Sequence, residues 1–308
     1  MGETGEGKKE MGNYHVHQDD VAFHFRCLLE CNESSYSRIK HKLNSLLKEQ
    51  KRCSRSNKAV FFGHQGLGDF FIMTGAIRYL AMMYDEIVVL AIESYKTTLT
   101  QMFADDSSIR FVFAPDFDSV QAQYNILHYP SPEYSLLGVG WMKHGCWPSE
   151  REPFYQAFYR DLHLPWEYHT RYFHVHREPD EEQALFEATV GRLQDGEPYI
   201  FVHDKENVDF SFLTQRTPEI CVYHPSRNYY TDSSHKFHGI WSGYQDNVLL
   251  YTKIIENASE IYVIDSAFFS YTAHLSSLKA VKKRVYALRC FPMDDYVTPE
   301  SGWEIVSG

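Results

Sequence analysis

The sequence holds no pair of cysteines at CxxC spacing; its 6 cysteines are scattered at positions 27, 31, 53, 146, 221 and 290. A zinc ribbon and a disulfide framework are therefore both unsupported, and free thiols in a reducing, cytoplasmic compartment are expected. There is no long run of Lys or Arg, and the formal net charge is -11. Without a basic face, general nucleic-acid binding is set aside. No segment is apolar and long enough to span a bilayer. The first 15 residues, MGETGEGKKEMGNYH, contain no apolar core of a secretory signal. The sequons Asn32-Glu-Ser34 and Asn257-Ala-Ser259 are accordingly read as chance occurrences. Gly2-Glu-Thr-Gly-Glu-Gly7-Lys8-Lys9 approaches a phosphate-binding P-loop, but Lys9 stands where a hydroxyl must reach magnesium and no strand precedes it.

Aromatic residues are plentiful, with 22 Tyr and 21 Phe, more than one core requires. Residues 18–53 repeat apolar side chains at helical spacing (Val21, Phe25, Leu28, Leu29; then Ile39, Leu43, Leu46, Leu47), and Asn32–Ser35 divides them into two helices. Lys40, Lys42, Lys48, Lys51 and Arg52 make the second helix basic. A solvated face is the leading reading, with an acidic partner or peripheral contact with a membrane as alternatives.

From residue 59 the pattern changes. Short continuous apolar runs read as strands: Ala59–Phe62, Glu86–Ile92, Ile109–Phe113 and Tyr124–His128, then Tyr199–His203, Ile220–His224, Glu260–Ile264 and Arg284–Leu288. Helical patterns alternate with them at Phe70–Met83, Lys96–Phe103, Pro153–Leu162, Asp180–Leu193, Asp246–Ala258 and Ala267–Ser277. Buried strands alternating with helices indicate parallel sheets covered on both faces. Residues 129–180 read as an irregular, aromatic connection. The expected organisation is a leader and helical extension over 1–57, one α/β domain over 58–178 and a second over 179–308.

Two sets of residues could carry chemistry. Gly63-His-Gln-Gly-Leu-Gly-Asp-Phe-Phe71 links the first strand to an apolar helix. Its glycines are spaced GxxGxG rather than the GxGxxG of a dinucleotide turn, and Asp69 would repel a pyrophosphate there. Asp69 at the carboxyl end of a strand suits a hydroxyl-bearing ligand, whose proton it could take; a helix-capping role is the alternative. Glu93, at the end of the second strand, keeps an NAD(P)-dependent oxidoreductase open. In the second unit, three strands end in His203-Asp204-Lys205, His224-Pro-Ser-Arg227 and Asp265-Ser266. If the strands are parallel, His203, Lys205, His224, Ser226, Arg227, Asp265 and Ser266 share one sheet edge. Two cations and a helix start there form a candidate diphosphate cradle with no metal.

Val60-Phe-Phe-Gly-His-Gln-Gly-Leu-Gly-Asp-Phe-Phe-Ile-Met-Thr-Gly-Ala-Ile-Arg-Tyr-Leu80 resembles the N-terminal segment of the heptosyltransferase-like glycosyltransferases, family 9, with its strand followed by GxGD. Asn257-Ala-Ser-Glu-Ile-Tyr-Val-Ile-Asp-Ser-Ala267 resembles the C-terminal segment of that family, with Ala267 in place of a glycine. The resemblance implies a GT-B architecture, in which two Rossmann-like domains face across a cleft. It also implies Asp69 as catalytic base and Ser266 near the donor phosphates. On the residues alone, His64 is a candidate to assist Asp69 or to bind the acceptor, with a loop hydrogen bonder as the leading alternative, and Gly66 and Gly68 are candidate ligand contacts. The expected activity is metal-independent, inverting transfer of a hexosyl or deoxyhexosyl group from a nucleotide-sugar to a glycan hydroxyl. No cofactor is expected beyond the donor substrate. A non-catalytic protein that binds sugar-nucleotides or glycans on the same fold remains an alternative.

Overall fold

The structure is a computed structural model that describes residues 57–120, 134–140, 153–194, 197–204, 208–287, 296–297 and 301–307. The helices expected before residue 57, the strand expected over 124–128, Lys205 and five of the six cysteines lie outside the described residues. Cys221 is buried as a free thiol.

The elements in chain order are β1 (Lys58–Phe62), α1 (Leu67–Ala81), β2 (Glu86–Ile92), α2 (Lys96–Met102), β3 (Ile109–Ala114), β4 (Tyr134–Gly138), α3 (Phe154–Asp161), α4 (Tyr168–Arg171), α5 (Pro179–Ala188), β5 (Tyr199–His203), α6 (Phe212–Arg216), β6 (Cys221–Tyr223), α7 (Thr252–Asn257), β7 (Glu260–Ile264), α8 (Ala267–Thr272), β8 (Lys282–Ala287) and β9 (Trp303–Ser307). They build two sheets, ordered β3-β2-β1-β4 and β6-β5-β7-β8-β9. Every recorded strand pair is parallel.

The apolar runs explain the layering. Along β1, Ala59 and Phe61 face one core, while Val60 and Phe62 face another with Val88, Leu90 and Leu136. The period of two thus buries both faces, as a parallel sheet flanked by helices requires. In β5, Tyr199 and Phe201 likewise face one side, and Ile200 and Val202 face the other. The inner cluster runs without interruption from Phe61 to Phe201 and Val263, so the two lobes share one apolar core.

Helix α1 is the element that joins them. Phe70, Phe71, Ile72, Met73, Ala76, Ile77 and Leu80 are all buried, in keeping with an apolar pattern nearly all round. Phe71 stacks on Tyr271 of α8 with ring centroids 5.0 Å apart. The Tyr159 hydroxyl donates to the Ile72 carbonyl at 2.8 Å and accepts from the Ala76 amide at 3.2 Å, fastening α3 into the hydrogen-bond ladder of α1. Gly75 permits α4 to cross closely, since a Cβ there would lie 2.2 Å from the Tyr168 carbonyl oxygen. Arg78, the cation in this helix, reaches the Met102 carbonyl and the Asp105 carboxylate, each at 2.7 Å.

Three differences from the sequence expectations have physical causes. β4 lies in the stretch read as irregular; it is a short edge strand, mostly half-buried, with a weak apolar signal. The expected helix 246–258 begins instead as a 3₁₀ turn, Val248–Tyr251, because the Asn247 side chain accepts from the Leu249 amide. The C-terminal β9 also went unread, being five residues long and paired along one side.

Candidate active site

In each sheet the strand order reverses beside a central strand, and ligands of open α/β sheets bind at the carboxyl ends of the strands flanking such a point. In the first sheet this point falls between β1 and β4, directly under the loop Gly63–Gly66. That loop is held from within. Gln65 is buried, and its amide nitrogen donates to the Gly63 carbonyl at 2.9 Å and to the Leu90 carbonyl, at the end of β2, at 3.2 Å.

Gly66 caps α1 in an extended conformation, with no side-chain hydrogen bond. A Cβ on Gly66 would stand 2.8 Å from Asp69 Oδ2, so the Asp69 carboxylate lies over the glycine. Asp69 sits in the first turn of α1, where the helix dipole favours its ionised form. His64 Nδ1 is 3.9 Å from Asp69 Oδ2, and the side chains retain 8% and 15% exposure. Both groups are therefore sheltered yet open to solvent. Phe158 meets the His64 ring edge-on at 4.7 Å, and Phe154 stacks at 6.5 Å.

The reversal in the second sheet falls between β5 and β7. His203 at the end of β5 and Ser266 after β7 meet there, with His203 Nδ1 and Ser266 Oγ 3.1 Å apart. Ser266 caps α8 without turning its hydroxyl onto its own helix. Asp265 is half-buried at the same edge, its amide donating to the Tyr286 carbonyl at 3.3 Å. The three polar strand ends thus do share one edge, as parallel pairing demands.

Within that edge the side chains divide. His224 is buried, and burial first, then the Arg227 charge, lowers its pKa to about 4. The Ser226 amide donates to His224 Nδ1 at 3.0 Å and the Asp204 amide donates to Nε2 at 3.2 Å, with Asp204 Oδ1 2.9 Å from the same Nε2. His224 therefore supports the edge from beneath. Arg227 Nη1 lies 3.0 Å from Asp204 Oδ2 and 3.4 Å from Asp209 Oδ1. Arg227, one of the two cations expected in the cradle, is thus ion-paired here. Burial raises the Asp204 carboxyl above its usual range, against the pull of Arg227.

The two edges converge. A Cβ on Gly68 would lie 3.3 Å from both the Ala267 amide nitrogen and Ser270 Oγ. A side chain here would crowd both neighbours, so the glycine eases the close approach of the starts of α1 and α8. Asp69 and Ser266, each next in sequence to a residue of this contact, flank it from opposite lobes.

Sequence reasoning missed Gly140, Asp161 and Tyr296. The Tyr296 hydroxyl donates to the Ser270 carbonyl at 3.0 Å. Burial above all holds its phenol well above the ordinary value, and the nearby Asp69 charge adds to this. These residues lie far from Asp69 in sequence and carry no local motif. Glu93, the candidate ribose acid, opens a 3₁₀ turn on the surface and pairs with Lys96 at 3.1 Å. With the Asp69 carboxylate over the helix start as well, the geometry disfavours a dinucleotide there. Among the described residues, no group of three or more His, Cys, Asp or Glu is arranged to hold a metal, and no helix is long and apolar enough to cross a membrane.

No family model and no curated protein matches this sequence. Solved structures do share its fold. A glycosyl transferase family 9 structure from Veillonella parvula DSM 2008 superposes with a TM-score of 0.53 at 9% identity, covering 82% of this chain and 85% of that one. The iron-containing dodecameric glycosyltransferase TibC from enterotoxigenic E. coli H10407 gives 0.42 at 12% identity, over 75% of this chain and 57% of that one. A dodecameric iron-containing heptosyltransferase TibC in complex with ADP-D-beta-D-heptose gives 0.46 at 12% identity, over 79% and 62%. At such identities the likeness establishes architecture, and the family 9 structure carries it. The chain has a GT-B-like fold of two Rossmann-like sheets.

Proposed function

We propose that this protein is a glycosyltransferase that moves a sugar, a hexosyl or deoxyhexosyl group, from a nucleotide-sugar to a hydroxyl of a glycan acceptor. In this reading the transfer inverts the anomeric centre and needs no metal. The observation that carries it is the convergence of Asp69 with the β5–β7 edge through the Gly68–Ala267 contact. The neighbours of this contact in sequence, Asp69 and Ser266, come from opposite lobes, on a fold shared with a family 9 glycosyltransferase.

In the proposed step the acceptor oxygen attacks the anomeric carbon while Asp69 takes its proton. The bond from that carbon to the diphosphate oxygen breaks, and the nucleoside diphosphate departs with the electron pair. One displacement from the face opposite the leaving group inverts the centre. On the donor side, the hydroxyl of Ser266 and the ring of His203 supply polar groups for the diphosphate. The first free amides of α8 add donors where negative charge builds on the leaving oxygen. Lys205 remains a candidate donor contact by its place in sequence after β5. Arg227 would engage the diphosphate by exchanging Asp204 and Asp209 for phosphate oxygens. The shared apolar core holds the two edges together, which favours water exclusion around a labile donor.

The test is release of nucleoside diphosphate from a panel of UDP-, GDP-, ADP- and dTDP-sugars, ADP-heptose included, and of CMP from CMP-sugars, with mixed glycan acceptors, in magnesium and in EDTA. Acceptor-dependent release from one donor, undiminished by EDTA, is the expected result. Loss of release in EDTA would overturn metal independence. Absence of release from every donor, with a nucleoside diphosphate still bound, would leave a binding protein on this fold.

A further inference from the structure

Gly140 follows β4 and has φ +58°, the left-handed region that favours glycine. A Cβ there would stand 2.5 Å from His64 Nε2 and 2.9 Å from Phe158 Cε1. The chain at Gly140 therefore forms a wall against the His64 ring that no other residue could form without displacing it. The turn is fastened: the Gly140 amide donates to Asp161 Oδ2 at 2.8 Å. Asp161 closes α3, the helix whose Phe154 and Phe158 contact the same ring. One helix thus supplies two aromatic walls for His64 and, three residues further on, the carboxylate that holds the third.

Asp161 is 7% exposed. Its Oδ1 lies 3.4 Å from Arg160, whose side chain is half exposed. A buried carboxylate is costly unless it has partners, and here the Gly140 amide and the Arg160 guanidinium supply them. The walls leave the Nδ1 edge of His64 toward Asp69, at 3.9 Å. That separation exceeds a hydrogen bond and is short enough for electrostatic coupling; a water or a substrate hydroxyl can bridge it. Among the described residues, the ionisable groups around the pair are Asp161 and Arg160 on α3 and Tyr296 from the second lobe.

We propose that Asp161, through the Gly140 turn, is a positioning residue that keeps His64 in register with Asp69, so that the two act as one proton-accepting unit. The catalytic use of the unit rests on the glycosyltransferase reading; the coupling does not.

The experiment follows the His64 imidazole by NMR in the full chain without ligands, through a pH titration. Asp69→Asn should lower the His64 protonation constant roughly tenfold, the effect of losing an opposite charge at this distance. In an Asp161→Ala background the same Asp69→Asn change should have an effect at least roughly threefold smaller, a non-additivity expected of linked residues. Asp161→Asn, which keeps the acceptor, should preserve the coupling. Gly140→Ala, which drives a methyl onto Nε2, should abolish it and stands in if Asp161→Ala does not fold. Full coupling in either Asp161→Ala or Gly140→Ala overturns the proposal, as does its loss in a folded Asp161→Asn. Transfer without the coupling sinks this inference alone, and coupling without transfer sinks the glycosyltransferase reading alone.

Discussion

Replacement of Asp69 by Asn separates a catalytic base from a helix cap, because the two roles predict different ratios of lost activity to lost stability. The carboxylate stands in the first turn of α1, behind a cap, Gly66, that offers no side chain. As a partner of the helix dipole it contributes about 0.3–1 kcal/mol. Its pairing with His64 at 3.9 Å is partly solvated and is worth at most about 1 kcal/mol. Asn keeps the shape and the acceptor oxygen, so the stability loss should stay below about 2 kcal/mol, a few degrees in Tm for a chain of this size. Loss of a general base costs about 10²–10⁴-fold, or roughly 2.7–5.5 kcal/mol of barrier. The assay is kcat at 15 °C, far below the melting transition, where both proteins are folded and the stability difference drops out. The expected result is a kcat reduced at least about 100-fold with the nucleoside diphosphate Kd unchanged within about twofold. A kcat within about threefold of wild type would refute the base assignment and leave Asp69 as an element of helix stability.

Other expectations follow from the same geometry. Gly75→Ala should destabilise by about 1–3 kcal/mol through overpacking against the Tyr168 carbonyl, seen as a lower Tm in calorimetry. Ser266→Ala should weaken nucleoside diphosphate binding by about 0.5–1.5 kcal/mol, measured by titration calorimetry, while leaving the Tm of the free protein within about 2 °C. His169, buried and stacked on Trp166, and His274, half-buried and stacked on Phe173, lie between the lobes, and desolvation lowers their pKa values to about 4 and about 3. Both are neutral in the folded chain at neutral pH, whereas the unfolded chain takes up their protons near 6.5. Their contribution is complete above that pH and is lost as pH falls toward about 4 and about 3, by up to about 1.4 kcal/mol per pH unit for each ring. Urea unfolding at pH 7, 6, 5 and 4 should show this decline, and His169→Gln should flatten it.

Much of the fold was legible because buried parallel strands advertise themselves. Val60, Phe61 and Phe62, or Ile200, Phe201 and Val202, leave no polar face, and the helices between them repeat at a different period. β4 and β9 were illegible for the opposite reason: edge strands bury less, so Tyr134–Gly138 and Trp303–Ser307 carry little apolar contrast. In the site, Asp69 was visible through its unusual place after GxG, and the polar ends of β5, β6 and β7 through their shared topology. What composition cannot show is which charges meet. Arg227 reads in sequence only as a cation at the strand edge, and Asp204, 23 residues earlier, pairs with it in space. The fastening of Gly140 by Asp161 and the effect of Asp69 on Tyr296 join segments that are distant in sequence and share no motif.

The central claim is that the edge where β5 and β7 end receives a nucleoside diphosphate. The most direct measurement is a thermal-shift panel of UDP, GDP, ADP, CMP, dTDP and NAD(H), each with and without magnesium. Stabilisation by one nucleoside diphosphate, equal in EDTA, is the predicted result and would name the donor class. Stabilisation by NAD(H) alone would contradict the account and restore the oxidoreductase reading.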